Sequence, residues 1–257
     1  MRFLLYDLAA DKVFAPEINS FRRKLGLNPV HRVWGRWLNS PQRVIGLWPE
    51  WFYAAQPDWP AQAVVTGFIE YDGPPNAAAR DPWHAVSGSD YLGQAPIVFT
   101  AGSACFAAPD FFAAACEACE ILNWPGVLLT QQEKQIPKTL PRMVQHIAYT
   151  PLGKLLHHAA AIVHHGGIGT AARALKAGIP QLVMPMAFDQ QDNASRLVRL
   201  GVAASIEREN FTPQKVAAQL RALVESQSVL ERCRNNAKHF ECDNAVKRTC
   251  DYVEALL

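Results

Sequence analysis

No segment of the chain approaches the ~18–20 consecutive apolar residues that a membrane-spanning helix requires, although hydrophobic residues fill 49% of its 257 positions. Peripheral contact is the one kind of membrane contact this leaves open. An excess of either charge is missing too: 25 basic residues stand against 23 acidic ones, a net charge of +2. Neither a nucleic-acid-binding face nor a charged tail is therefore expected. The opening MRFLLYDLAADK does not read as a signal peptide, because Asp7 interrupts its short apolar run and no small-residue cleavage site follows. Of the six cysteines, Cys116 and Cys119 form a C-x-x-C, but it sits inside the apolar helical pattern FFAAACEACEIL, with no second pair to complete a zinc site. Buried free thiols in a reducing cytoplasm are the better reading. There is no internal repeat and no low-complexity tract. The length suits one large or two small domains with a proper core.

What is present from residue 96 onward is regular. Short apolar strands are expected at 96–100, 126–130, 143–149, 160–164, 180–185 and 202–206. Helices are expected between them: 110–122 with Asp110 as N-cap, LGKLLHHA, 170–178 closed by Gly178, and 190–201 closed by Gly201. Three helical segments follow, the first opening on Thr212-Pro213, the second near 229–240 and the third starting near Asp243 or Asn244. Such alternation means βαβ units and a Rossmann-like α/β fold, a parallel sheet with helices on both faces. Residues 1–95 differ. They hold six of the seven tryptophans, all but Trp124, a helical FRRKLGL that stops at a proline, and two short strands in RVIGLWPEWF and QAVVTGFI. The turn-rich stretch 71–95 reads as a linker. The expected division is 1–70, an incomplete domain; 71–95, linker; 96–240, the α/β domain; and 241–257, a terminal helix.

In an open parallel sheet, ligands bind where strands end and loops enter helices. That rule selects three loops. In the first, HHGGIGT (His164–Thr170), a strand runs through three glycines into a helix. Free first-turn amides and the helix dipole favour an anion there, glycines let the backbone come close, and Thr170 and a histidine add donors. The motif is neither G-x-G-x-x-G nor a P-loop. The alternative is a tight glycine-packed turn with incidental histidines. The second loop, MPMAFDQQDN, offers Asp189, Gln190 and Asn193 to hydroxyl groups, unless Asp189 merely caps a helix. The third, Gly102-Ser103, offers backbone amides or is an ordinary turn.

Taken together, H-H-G-G-x-G-T, A-G-x-P-Q-x-x-x-P and D-Q-x-x-N-A-x-R-L, in this order and spacing, resemble the donor-binding signature of GT-B nucleotide-sugar glycosyltransferases. Within that family the likeness is to rhamnosyltransferase-like and to sterol or macrolide glycosyltransferases. PIVFTAGSA resembles the first strand and Gly-Ser loop of the family's C-terminal domain, and LGLNPV…LWPEWF…VTGF the close of its N-terminal domain. The resemblance implies that Ser103, His165, Gly167, Gly169, Thr170 and Asn193 serve the donor diphosphate, that Asp189 and Gln190 hold the sugar, and that Ala148, Tyr149 and Pro151 meet the nucleobase. His164 ends the strand or packs. It further implies an inverting, metal-independent transfer from a UDP- or dTDP-hexose to a hydroxyl acceptor, either a small molecule or a lipid, with no cofactor.

The family's catalytic base, a histidine early in the N-terminal domain, has no counterpart here, since His31 and His84 fall in stretches matching that domain's tail and the linker. No catalytic residue is therefore assigned, and the isolated chain is expected to bind donor but transfer poorly. Self-association into a dimer is expected to cover apolar surface that would otherwise face an acceptor domain. Two other readings stay open: a relative of the cell-wall N-acetylglucosaminyltransferase, against which AGSAC speaks, and a non-catalytic accessory subunit that keeps the fold.

Overall fold

The central strands of the α/β domain are buried along almost their whole length, so they can be stable only with helices on both faces. The computed structural model of the chain describes residues 2–71, 93–102, 108–241 and 244–257, and the residues in it fall into two compact units, Met1–Phe68 with Asn244–Leu257, and Ile69–Asp243.

In the first unit, helix α1 (Arg2–Lys24) runs through Pro16. It is far longer than the helical FRRKLGL read from the sequence, where an interior proline argues against continuation. A π-helical turn follows at Val33–Trp37. Two side chains of α1 fix its start. Asp7 accepts hydrogen bonds from the Gly35 amide and the Arg32 guanidinium, both at 2.9 Å, and Asp11 accepts from the amides of Arg32 and Val33. Those amide bonds hold the Asp11 carboxyl below its usual pKa. The two expected strands form a short parallel pair, β1 (Val44–Gly46) with β2 (Ala63–Val65).

The second unit opens with β3 (Ile97–Thr100) and continues through α2 (Pro109–Leu122), β4 (Gly126–Leu129), β5 (Val144–Ile147), α3 (Leu152–Leu156), β6 (Ala161–His164), α4 (Ile168–Ala177), β7 (Gln181–Val183), α5 (Gln190–Arg199), β8 (Ala203–Ser205), α6 (Pro213–Glu225) and α7 (Gln227–Ala237). The last helix, α8 (Ala245–Glu254), belongs to the first unit, where its Arg248 guanidinium and Thr249 hydroxyl bond Thr66. The expected N-cap of α2 is corrected. Proline presets the helical φ, so the helix starts at Pro109 with Ala108 as N-cap, and Asp110 lies inside the first turn. Thr212 does cap α6, accepting from the Lys215 amide.

The six strands β3 to β8 are all parallel, in the order β5-β4-β3-β6-β7-β8. Side-chain alternation divides the core. Ile97, Phe99, Leu128, Ala161 and Val163 pack with α2 and α6. Val98, Val127 and Ile162 pack with Leu155, Leu156 and Ala174 from α3 and α4. From β3 the chain winds outward through β4 and β5, then returns to β6 and winds outward the other way. The neighbours β3 and β6 are thus the switch point, and the loops that leave their carboxyl ends open a crevice there.

Of the cysteines, Cys116, Cys119 and Cys233 are free and buried. Burial pushes the Cys116 thiol up to about 11 and Cys233 up to about 12, which makes them poor nucleophiles. Cys250 is free and exposed. Cys105, Cys242, His84 and Ser103 lie outside the described residues, as does most of the expected linker. Among the described residues no helix is long and apolar enough to cross a membrane.

Candidate functional site

The glycine loop starts from β6, whose last residue, His164, is fully buried. A buried imidazole needs partners on both nitrogens, and His164 has them. Its Nδ1 accepts from the Gly166 amide at 3.1 Å, so Nε2 carries the proton and donates to the Gln181 carbonyl oxygen at 2.9 Å. Gln181 in turn donates to the Ala171 carbonyl. Burial, then the neighbouring His165, push the His164 pKa down to about 3. His164 is therefore a neutral strut that ties the loop to β7 and to the first turns of α4. The sequence reading allowed only that it ends the strand or packs. The signal available was Gln181, an amide in an apolar strand that must find a partner once buried.

Gly166 is held from the other side too. Its carbonyl accepts from Asn193 Nδ2 at 3.0 Å, and the same amide group donates to Asp189 Oδ2 at 2.9 Å. Gly166 sits at φ 90°, where an added Cβ would lie 3.0 Å from both the Gln190 carbonyl oxygen and Val183. Of the three glycines in the motif, this is the one that requires left-handed freedom.

His165 turns the opposite way from His164. Its imidazole is wedged between two loops, so that a Cβ on Gly102 would come within 2.6 Å of Cε1 and one on Gly167 would collide with Nε2. Its Nδ1 is buried and has no hydrogen-bond partner among the described residues. Burial lowers the His165 pKa, and the nearby Asp189 carboxylate opposes this in part. At neutral pH the ring is uncharged and holds an unused polar atom away from water, an arrangement that costs free energy until a ligand supplies a partner.

Helix α4 begins directly after this loop, with Gly167 as an N-cap that offers no side chain. Its Thr170 and Ala171 amides both donate to the Gly167 carbonyl. The amides of Ile168 and Gly169 find no acceptor among the described residues. Gly169 is exposed, and only the Arg173 guanidinium, at 3.4 Å, comes within 4 Å of its missing Cβ. A helical glycine with open space around it costs up to ~1 kcal/mol relative to alanine, and no packing among the described residues explains the choice.

The residues expected to hold the sugar, Asp189 and Gln190, stand at the start of α5. Asp189 is its N-cap by position, yet its side chain makes no capping bond. Simple helix capping therefore does not account for it. Gln190 Oε1 accepts from the amides of Met186 at 2.8 Å and Ala187 at 3.0 Å, which folds the preceding loop. Asp189 Oδ1 and the Gln190 amide nitrogen remain uncommitted among the described residues.

Across the switch point, a cavity of about 210 Å³ opens over the ends of β3, β4 and β5, lined by Gly102, Thr130, Gln132, Ala148, Tyr149 and Thr150 among others. Gly102 also touches the His165 ring, so the cavity and the glycine loop adjoin. Tyr149 is half exposed. Pro151 does not line the cavity and is buried as the N-cap of α3. The structure thus brings together His165, Gly167, Gly169, Thr170, Asn193, Asp189 and Gln190 around one loop, with Ala148 and Tyr149 at the adjoining cavity.

The buried His164 makes stability depend on pH. In the unfolded chain its pKa returns to near 6.5, so between pH 6.5 and about 3 the unfolded state takes up a proton that the folded state refuses. Stability therefore rises with pH in this window and is lost as pH falls below 6.5. Urea midpoints measured from pH 7 to 4 should drop, and His164→Asn, which keeps an acceptor for the Gly166 amide, should show a shallower slope. Parallel slopes would mean that His164 is not held neutral.

Residues 125–251 match the family described as Erythromycin biosynthesis protein CIII-like, C-terminal domain. The chain is 28% identical over 250 residues to the O-mycaminosyltylonolide 6-deoxyallosyltransferase of Streptomyces fradiae, a match that covers 93% of this chain and 56% of that enzyme. A shorter match, 37% over 110 residues, reaches the aclacinomycin-T 2-deoxy-L-fucose transferase of Streptomyces galilaeus, covering 42% of this chain and 25% of that one. Among solved structures, the glycosyltransferase of kitacinnamycin superimposes with a TM-score of 0.76 at 22% identity, over 100% of this chain and 66% of that one. The glycosyltransferase VinC, solved in complex with dTDP, gives a TM-score of 0.62 at 25% identity, over 80% of this chain and 50% of that one. The chain spans about half the length of the curated relatives it matches.

Proposed function

We propose that this chain, whose six-stranded domain is the C-terminal domain of a GT-B glycosyltransferase, binds the nucleotide-diphosphate end of an activated sugar at the loop between β6 and α4. The observation that carries this reading is the unpartnered, buried Nδ1 of His165 beside the open first turn of α4. A diphosphate meets the requirements of both. Its oxygens can accept from the Ile168 and Gly169 amides, and its charge raises the affinity of His165 for a proton. The cavity at Ala148 and Tyr149 takes the base, and Asp189 Oδ1 and the Gln190 amide take sugar hydroxyls. The dTDP complex of VinC supports a nucleotide-linked donor such as a dTDP- or UDP-sugar, and the names of the two curated relatives support a sugar as the transferred group.

The chemistry follows from where charge grows. When the bond from the anomeric carbon to the phosphate oxygen breaks, positive charge spreads over the sugar ring and negative charge collects on the leaving diphosphate. Amides at a helix terminus and a protonated His165 oppose that negative charge from fixed positions, without a metal. Attack by an acceptor hydroxyl on the opposite face inverts the anomeric centre. The acceptor is a small molecule or a lipid, and its proton passes to a base outside the glycine loop.

Thermal unfolding with added nucleotide tests the reading. A ligand that binds only the folded state adds ~2.7 kcal/mol at a hundredfold excess over its dissociation constant. UDP or dTDP should raise the melting midpoint, while uridine and thymidine, which lack phosphates, should have little effect. No shift with UDP, dTDP or GDP would sink the donor-site reading and favour an accessory subunit that keeps only the fold.

A further inference from the structure

Phe188 departs from a backbone rule that nearly all non-glycine residues obey. Its φ is 58°, in the left-handed region where a bulky side chain is an outlier. Two other non-glycine residues share that region, each with a visible support. Asn123 closes α2 as its C-cap, a position and residue type that tolerate the geometry. Arg32 is held by Asp7 and Asp11. The Phe188 side chain contributes nothing of this kind: the residue is 92% exposed, so no packing among the described residues offsets the strain. An exposed phenylalanine is ordinary by itself, but one that also sits in a disfavoured conformation is not. Such outliers persist where the surroundings enforce them and the site uses them.

The surroundings do enforce this one. Gln190 Oε1 accepts from the two amides just before Phe188, the Gln190 backbone amide donates to the Ala187 carbonyl at 3.3 Å, and Asn193 anchors the Asp189 carboxylate just after it. The loop is stiff, and it holds an aromatic ring out into solvent next to two hydrogen-bonding groups uncommitted among the described residues, Asp189 Oδ1 and the side-chain nitrogen of Gln190. A pyranose has two kinds of surface. Its edge carries hydroxyls, which a carboxylate and an amide can bind. Its face carries C–H groups, whose weak positive charge suits the negative face of an aromatic ring.

We infer that Phe188 is the platform on which the C–H face of the donor sugar packs, so that it separates a sugar nucleotide from the bare nucleotide. This rests on the nucleotide-sugar reading of the loop given above. Stacking a sugar there would also bury the one large apolar group that the loop exposes.

Calorimetric titration of the full chain with dTDP, UDP, dTDP-glucose, UDP-glucose and dTDP-L-rhamnose tests this in three forms: the natural protein, Phe188→Gly and Phe188→Trp. Glycine is at ease at φ 58°, so Phe188→Gly should melt no lower than the natural protein. The natural protein should bind at least one sugar nucleotide more tightly than its nucleotide. In Phe188→Gly that preference should fall by about threefold to tenfold with nucleotide affinity unchanged, and in Phe188→Trp it should persist. An unchanged preference in Phe188→Gly would overturn the inference and leave the ring to face some other group, such as an acceptor. Nucleotide binding with no preference for any of the three sugars would overturn it as well, while leaving the diphosphate site standing. Failure of the natural protein to bind dTDP or UDP would remove the nucleotide-sugar reading, and this inference with it.

Discussion

Replacing His165 with alanine should abolish most of the affinity for UDP or dTDP while leaving the fold intact. The imidazole makes no hydrogen bond through Nδ1 among the described residues, so no such bond is lost when it goes and the melting midpoint should change little. The bound state loses a hydrogen bond to a charged group, worth about 1.5–3 kcal/mol, or roughly tenfold to a hundredfold in the dissociation constant. Thymidine binding, which involves no phosphate, should be unaffected. The natural protein should also bind diphosphate more tightly as pH falls from 8 toward 6, because burial keeps the free ring neutral and the bound anion favours its protonated form. The alanine variant should lose that dependence, apart from any protonation of the ligand itself. Unaltered dTDP affinity in the variant would show that His165 faces something other than phosphate.

The glycines of the loop should respond to alanine in opposite ways. Gly166→Ala forces a side chain into φ 90° with carbonyl and methyl neighbours at 3.0 Å. Strain of this kind costs of order 1–3 kcal/mol and should lower the melting midpoint by several degrees. It should also weaken dTDP binding, because the carbonyl that anchors Asn193 moves with it. Gly169→Ala lies inside α4 with room for a methyl group, so stability should hold or rise by up to ~1 kcal/mol. Its dTDP affinity should nevertheless fall, because the methyl group stands where the backbone must come close to the ligand. Denaturation and titration of both variants separate the two roles. Full dTDP affinity in Gly169→Ala would mean that nothing approaches the helix there.

Much of the α/β domain was legible in the sequence because its central strands are buried on both faces and therefore mostly apolar. β3, β4, β6 and β7 fall inside the expected runs, and the terminal glycines Gly178 and Gly201 adopt the left-handed conformation that ends a helix. Helix α1 was not legible beyond its last turn, because Pro16 and scattered charges hide its period. The residues around the glycine loop could be picked out from residue type and order along the chain. The forces that hold them could not. His164 and Gln181 lie 17 residues apart, and only the pairing of β6 with β7 makes them neighbours. Gly167 reads as a flexible residue, yet its φ is ordinary and its real constraint is the His165 ring. The left-handed backbone of Phe188 has no sequence signature, since phenylalanine is among the residues least expected there.

The side chains on the first turn of α5 divide their polar atoms between two tasks. One oxygen of Asp189 and the oxygen of Gln190 are committed to the protein, and the remaining atoms face outward. If those atoms hold the donor sugar, as proposed above, a substitution that reshapes sugar preference at either position also loosens the loop that it braces. Natural proteins sit only just above the stability that function demands, so drift toward a new donor is penalised twice at these two residues. Variation in donor choice among descendants of this fold has a freer path through positions that brace nothing, where a mutation changes recognition without disturbing the architecture.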